Sequence, residues 1–178
     1  MGTPFTIEMN GIYDVGGFTG PLGAPGVGGH AAKPEWYNRF GMDLGADADT
    51  TVFAAFDGHI TKLNRPAPGT EGPSSYGVQL FMRSHNNKMG AYYTHFDEVP
   101  AGIGVGSHIA RGDVLGSVVK KAGVGPHIHM ALVEIVGALN PANYRGVDSL
   151  YTLMQGISVR DTVKVSFAQD GSTQPWVL

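Results

Sequence analysis

The sequence predicts an all-β protein: twisted antiparallel sheets, a barrel-sandwich-like core, little helix, and a groove under long loops. Three observations carry this. Short runs of β-branched and aromatic residues recur along the chain, each bounded by turn residues. Glycine and proline, 27 and 11 of 178 residues, lie between those runs rather than in one linker. A sustained helical period is absent, and only Asn140 to about Leu150 suggests a turn leading into a short helix.

Taken in order, Gly11 to Gly29 is rich in Gly, has neither period, and reads as a long surface loop ending at His30. Phe40 to Gly45 reads as a short strand in which Asp43 faces away from Met42 and Leu44. A carboxylate in an apolar strand needs a partner, whether a loop donor or a metal. Thr51 to Phe56 and His59 to Leu63 read as a hairpin turning at Asp57-Gly58. His59, beside that turn, reads as solvent-exposed. Asn64 to Ser75 is a second Pro/Gly/Ser loop, long enough to overhang a groove. Tyr76 to Arg83 and Ala91 to Phe96 form the next hairpin, with His85 a polar residue of its turn. His95 lies in an aromatic strand and is at least partly buried, as a core histidine or a functional one.

Val105 to Gly116 fits a tight β-arch at a barrel-like corner, with His108 exposed. It also looks like the arch of biotinyl or lipoyl carrier domains, but the lysine those domains modify is missing from the turn. Ile157 to Phe167 alternates valines with polar residues, as one or two edge strands would. The expected organisation is a single β domain over residues 1–150 and a C-terminal β extension over 151–178, packed on or near it.

Composition narrows the function. With 42% hydrophobic residues, 15% charged residues and a net charge of −3, neither disorder nor a nucleic-acid surface is indicated. The absence of cysteine means that any zinc must be held by His, Asp or Glu. No apolar run approaches membrane-spanning length, so membrane insertion is not expected, and the N-terminus lacks the pattern of a signal peptide. Oligomeric state is not legible.

Within Gly125-Pro126-His127-Ile128-His129-Met130, strand alternation places His127 and His129 on one face, about 7 Å apart. Alone, the pair fits either a metal or catalytic site or a turn and a surface histidine.

Together with other motifs it resembles the lysostaphin/LytM-type zinc endopeptidases. The motifs run in the family's order from about Gly28 to Tyr144: Gly-Met-Asp-Leu around Asp43, Val-Phe-Ala-Ala-Phe-Asp-Gly at 52–58, Tyr-Gly-Val at 76–78, Tyr-Thr-His-Phe at 93–96, Arg-Gly-Asp-Val-Leu-Gly at 111–116 and Gly-Pro-His-Ile-His at 125–129. The resemblance implies Zn2+ as cofactor, Asp43 and His129 as ligands, and His95 and His127 as the catalytic pair. Tyr37 and Tyr93 are implied substrate contacts. Zinc in such a site would lower the pKa of a bound water from about 15.7 toward 7. The implied substrate is a peptidoglycan cross-link or a glycine-rich peptide, and the implied location is extracellular or periplasmic.

One position departs from the pattern. Most of the family has a ligand histidine four residues before the Asp, where this chain has Arg39, a permanent cation that cannot ligate zinc. Unreplaced, it would leave a catalytically inactive LytM-like domain that binds or regulates partners. His30, thirteen residues before Asp43 and preceded by Gly28-Gly29, resembles the first ligand of the family's staphylolysin-like branch, which cuts Gly-Gly bonds. It is the expected third metal ligand.

Overall fold

The computed structural model describes residues 2–67, 76–120 and 123–178. Its elements in chain order are β1 (Phe5–Met9), β2 (Gly20–Gly23), α1 (Trp36–Arg39), β3 (Gly41–Gly45), β4 (Thr51–Phe53), β5 (Gly58–Asn64), β6 (Val78–Ser84), β7 (Met89–Phe96), β8 (His108–Ile109), β9 (Val114–Ser117), β10 (His127–Ile135), a 3-10 turn (Pro141–Asn143), β11 (Tyr144–Gly146), α2 (Leu150–Gly156), β12 (Val163–Phe167) and β13 (Trp176–Val177). The fold is mostly β, as the sequence predicts.

The principal sheet runs β2-β3-β10-β7-β6-β5-β8, with β11 added beside β10. All its pairings are antiparallel. One face packs into the core. Met42 and Leu44 of β3, Ile128, Met130 and Leu132 of β10, Tyr93 of β7, and Leu80 and Met82 of β6 are all buried there. Burial of β6 alternates strictly along the strand, the period-two pattern of a half-buried strand. By contrast β7 and β10 are buried along their whole length. Their second face lies under α1, whose Tyr37 ring packs on Tyr92 and Phe81 with centroids 4.9 and 5.6 Å away. Trp36 extends that cluster to Tyr144 at 5.4 Å.

Several sequence expectations need correction. Residues 51–63 do not form a hairpin: β4 pairs with β9, while β5 pairs with β6 and β8, so the Asp57-Gly58 turn sends the chain from one sheet to another. The Gly11–Gly29 loop contains β2, bonded to β3. Of the short helix expected from Asn140 to about Leu150, only the 3-10 turn at Pro141–Asn143 forms, because 144–146 is a strand bonded to β10, and α-helix starts again at Leu150. The hairpin of β6 and β7, the strand around Asp43 and the arch across 105–116 match the expectation. In the loop expected over 64–75, residues 68–75 lie outside the described residues.

The C-terminal segment is tied to the N-terminus, since β12 pairs with β1 over all five residues, Phe5 opposite Phe167. The division expected at residue 150 falls on the first residue of α2.

Candidate functional site

Antiparallel register brings the site together. Asp43 lies opposite His129, and His129 lies opposite Thr94, so three neighbouring strands present these side chains on the face turned from the core. Behind them the Tyr13 hydroxyl donates to Leu44 O at 2.6 Å and accepts from Ile128 N at 3.2 Å, which fixes β3 against β10. Burial raises the pKa of that phenol, only partly offset by the bond from Ile128, so the hydroxyl stays a donor.

His30 arrives from outside the sheet. Its loop is held by Gly26 N, which donates to Arg39 O at 2.8 Å, and by β2 running against β3. The Nε2 atom of His30 lies 3.3 Å from Asp43 Oδ2, and Nδ1 of His129 lies 2.8 Å from Asp43 Oδ1. One ligand atom from each of His30, Asp43 and His129 falls within 4.8 Å of the others. Two glycines make the approach possible. A Cβ on Gly41 would sit 2.1 Å from His129 Cε1, and one on Gly23 would sit 2.5 Å from Asp43 Oδ2.

Hydrogen-bond partners set the tautomers. A carbonyl can only accept, so His30 Nδ1–H donates to Ala24 O at 2.9 Å and leaves the lone pair of the neutral ring on Nε2, toward Asp43. His129 is the mirror case, with Nε2–H donating to Tyr37 O at 2.7 Å and the lone pair on Nδ1, again toward Asp43. Two imidazole lone pairs and a carboxylate therefore converge on one point. Such a set requires a proton or a cation between its members. Zinc, with bonds of about 2.0–2.2 Å and tetrahedral edges of about 3.4 Å, suits the donor types and their spacing.

With a proton rather than a cation in that place, burial raises the Asp43 carboxyl, but the hydrogen bond from a protonated His129 and the charges of protonated His129, His127 and His30 outweigh it, and its pKa lies below the ordinary value. Asp43 is thus ionised where a cation would sit. Tyr151 of α2 feels the same carboxylate: burial first, then the Asp43 charge, raise its phenol.

His127 and His95 stand beside this group, their ring centroids 4.7 Å apart and edge to face. His127 Nδ1–H donates to Gly125 O at 2.7 Å, and Nε2 lies 3.7 Å from Asp43 Oδ1. The Tyr76 carbonyl engages His95 Nδ1 at 3.0 Å, and the exposed Tyr76 ring stacks on the imidazole. His95 adopts φ +76, a left-handed conformation that costs a non-glycine residue of order 1–3 kcal/mol. All five polar residues line a groove of about 480 Å3, together with Tyr37, Gln79, Tyr92 and Thr94.

Of the expected substrate contacts, Tyr37 lines this groove and Tyr93 does not. Tyr93 is fully buried on the core face, with its hydroxyl accepting from Ala55 N; its neighbour Tyr92 faces the site instead. Burial holds the Tyr92 phenol up at about 12, so it is neutral. Arg39 is exposed, with its guanidinium over Phe40. The backbone acceptors at Ala24, Tyr37, Tyr76 and Gly125 were not foreseen, and no side-chain motif could reveal them.

Residues 37–141 match the sequence profile of Peptidase family M23. That span contains Asp43, His95, His127 and His129 but not His30. Similar solved structures include the antimicrobial peptidase lysostaphin from Staphylococcus simulans, at TM-score 0.56 and 14% identity over 83% of this chain and 55% of that one. Csd3 from Helicobacter pylori is similar at TM-score 0.50 and 20% identity, over 76% of this chain and 34% of that one. This chain thus spans about half of lysostaphin, and at such identities the likeness concerns the fold. No curated protein matches the chain. The profile match covers more than half of the sequence, and the chain belongs to Peptidase family M23.

Proposed function

We propose that the protein is a zinc metallo-endopeptidase that hydrolyses peptide bonds in peptidoglycan cross-links or glycine-rich peptides, outside the cytoplasm, in the extracellular space or the periplasm. The observation that carries this reading is the position of His30, whose Nε2 faces Asp43 although Arg39 occupies the family's usual ligand position. Arg39 motivated the alternative of a non-catalytic binding domain. That alternative requires a missing donor, and His30 supplies one.

In this reading His30, Asp43 and His129 hold the ion, and a bound zinc supplies Lewis acidity and a water of near-neutral pKa. His95 and His127 do the proton work. With Nδ1 of each ring engaged by a carbonyl, Nε2 is the atom that takes a proton from the attacking water and returns one to the leaving amine. A protonated imidazole there also stabilises the developing negative oxygen. The Tyr76 stack, the bond to Tyr76 O and the strained backbone hold His95 in one orientation before substrate arrives.

Tyr37 and the neutral Tyr92 line the groove beside the ligand group as substrate contacts. A substrate without Cβ atoms suits such a groove because its backbone can approach closely. The test is hydrolysis of pentaglycine by the zinc-loaded protein. Cleavage that stops with chelator and returns with zinc supports the proposal; zinc binding without cleavage of pentaglycine or cell-wall cross-links favours the non-catalytic domain.

A further inference from the structure

The chain's seven histidines fall into two groups. Four surround the groove described above. The remaining three, His59, His85 and His108, are far apart in sequence and read there as unrelated polar residues, yet the fold gathers them at the other end of the principal sheet.

His59 of β5 and His108 of β8 are direct cross-strand partners, so their side chains leave the same face with Cβ atoms about 4.5–5.5 Å apart. His85, in the turn after β6, stands against both: its ring centroid lies 6.4 Å from that of His59 and 5.4 Å from that of His108. His85 and His108 are exposed and His59 is half-buried, so core packing does not explain the cluster. Among the described residues none of the three imidazoles forms an ion pair with a carboxylate. The nearby charged groups on packed elements are Arg83, the β6 partner of His59, and Asp57, whose Oδ1 is occupied by Arg111 N.

We propose that His59, His85 and His108 form a second, peripheral site for a divalent transition ion of the imidazole-binding class, Zn2+, Ni2+ or Cu2+. Two imidazoles on one tetrahedral ion, with metal–nitrogen bonds of about 2.0–2.1 Å, have ring centroids about 5 Å apart. The His85–His108 pair stands near that spacing, whereas His59 and His85 lie farther apart and the three donor atoms do not yet converge, so binding requires side-chain rotation of the exposed His85 and His108 rings toward His59. The all-nitrogen donor set selects against Ca2+ and Mg2+, which require oxygen ligands. Burial first, then the charges of Arg83, His85 and His108, lower the pKa of His59, which keeps this ring in its neutral, ligating form.

The site is separate from the Asp43 group. Register places His59 opposite Arg83, four residues along β6 from Gln79 of the groove, and β5 lies three strands from β10. That is about 13 Å along the strands and about 14 Å across them. Occupancy would staple the two-residue strand β8 to β5 and to the β6–β7 turn, and the ion would stabilise this corner by binding only the folded chain.

The inference does not depend on the proposed peptidase activity, and its test keeps the two apart. Protein brought to one zinc per chain is titrated with Ni2+ and followed by calorimetry, with bound zinc counted before and after. The expected result is one Ni2+ taken up per chain without loss of the first zinc, weakened at least tenfold in His85→Ala and in His108→Ala. Ni2+ should also raise the melting temperature of the native protein and not that of either variant, while hydrolysis by all three stays equal. Both replaced residues are exposed, and equal melting temperatures without metal verify that the variants fold. Absence of Ni2+ uptake beyond the first site, or uptake unchanged in the His85→Ala/His108→Ala double variant, overturns the proposal.

Discussion

His95 and His127 meet edge to face, with centroids 4.7 Å apart, because β7 carries one extra residue at this point. Val78 pairs with Phe96 and Gln79 with Thr94, so His95 is bulged out of the ladder. Simple alternation from Thr94 would send His95 into the core; the bulge and its left-handed backbone return the ring to the groove. If this placement serves proton transfer, His95→Ala and His127→Ala should each lower kcat by about 10²–10⁴-fold. Zinc content should stay at the native level, which metal analysis beside the kinetics would check. Loss of zinc in either variant would move that residue into the ligand group.

The glycines beneath the proposed ligands give a second prediction. Gly41→Ala places a methyl on the His129 ring, and Gly23→Ala places one on the Asp43 carboxylate. Each should weaken zinc binding by about 10–100-fold, as displaced support around a ligand does, with activity restored at high zinc. Competition with a chromophoric chelator measures it. An unchanged affinity would mean that the ligands sit elsewhere.

Stability at the junction with the C-terminal segment should depend on Glu134. Its buried Oε1 accepts from both the backbone N and Nε2 of the buried Gln169, at 2.8 and 2.9 Å. Glu134→Ala leaves those donors without their acceptor and should cost about 2–4 kcal/mol. Denaturant unfolding reads this directly. A cost near zero would show that residues 151–178 detach before the sheet unfolds.

Asp170 supplies a pH dependence. The bonds from the Thr173 backbone and side chain and the Ser172 backbone hold its carboxyl at about 2, below the ordinary 3.8. A carboxyl lowered in the folded state stabilises above its unfolded value and ceases to do so as pH falls through the folded one. The melting temperature of the native protein should therefore exceed that of Asp170→Asn above about pH 4, and the gap should close toward pH 2. A gap that widens on acidification would contradict the turn.

Much of this site is legible in the sequence because strand periodicity is a local property. Asp43 facing away from Met42 and Leu44, and His127 sharing a face with His129, follow from alternation alone. His95 does not, since a bulge breaks the period without any composition signal. Tyr93, the substrate contact implied by the family resemblance, faces the core and Tyr92 the groove: in a strand buried on both faces, two adjacent tyrosines do not reveal which one faces the core. The false hairpin at Asp57-Gly58 arose because a turn dipeptide specifies a reversal locally but not which strand the returning chain joins. His59, His85 and His108 come together through non-local pairing that no spacing encodes.

In the proposed site His30 completes the metal group in place of the family's usual histidine. Zinc content per chain, measured after equilibration with zinc and gel filtration, tests it most directly on the native protein, Arg39→Ala and His30→Ala. With His85 and His108 replaced throughout so that only the Asp43 group is read, one tightly held zinc is expected in the otherwise native protein and in Arg39→Ala, and none in His30→Ala. Full zinc retention without His30, or no zinc in the native protein, would contradict it.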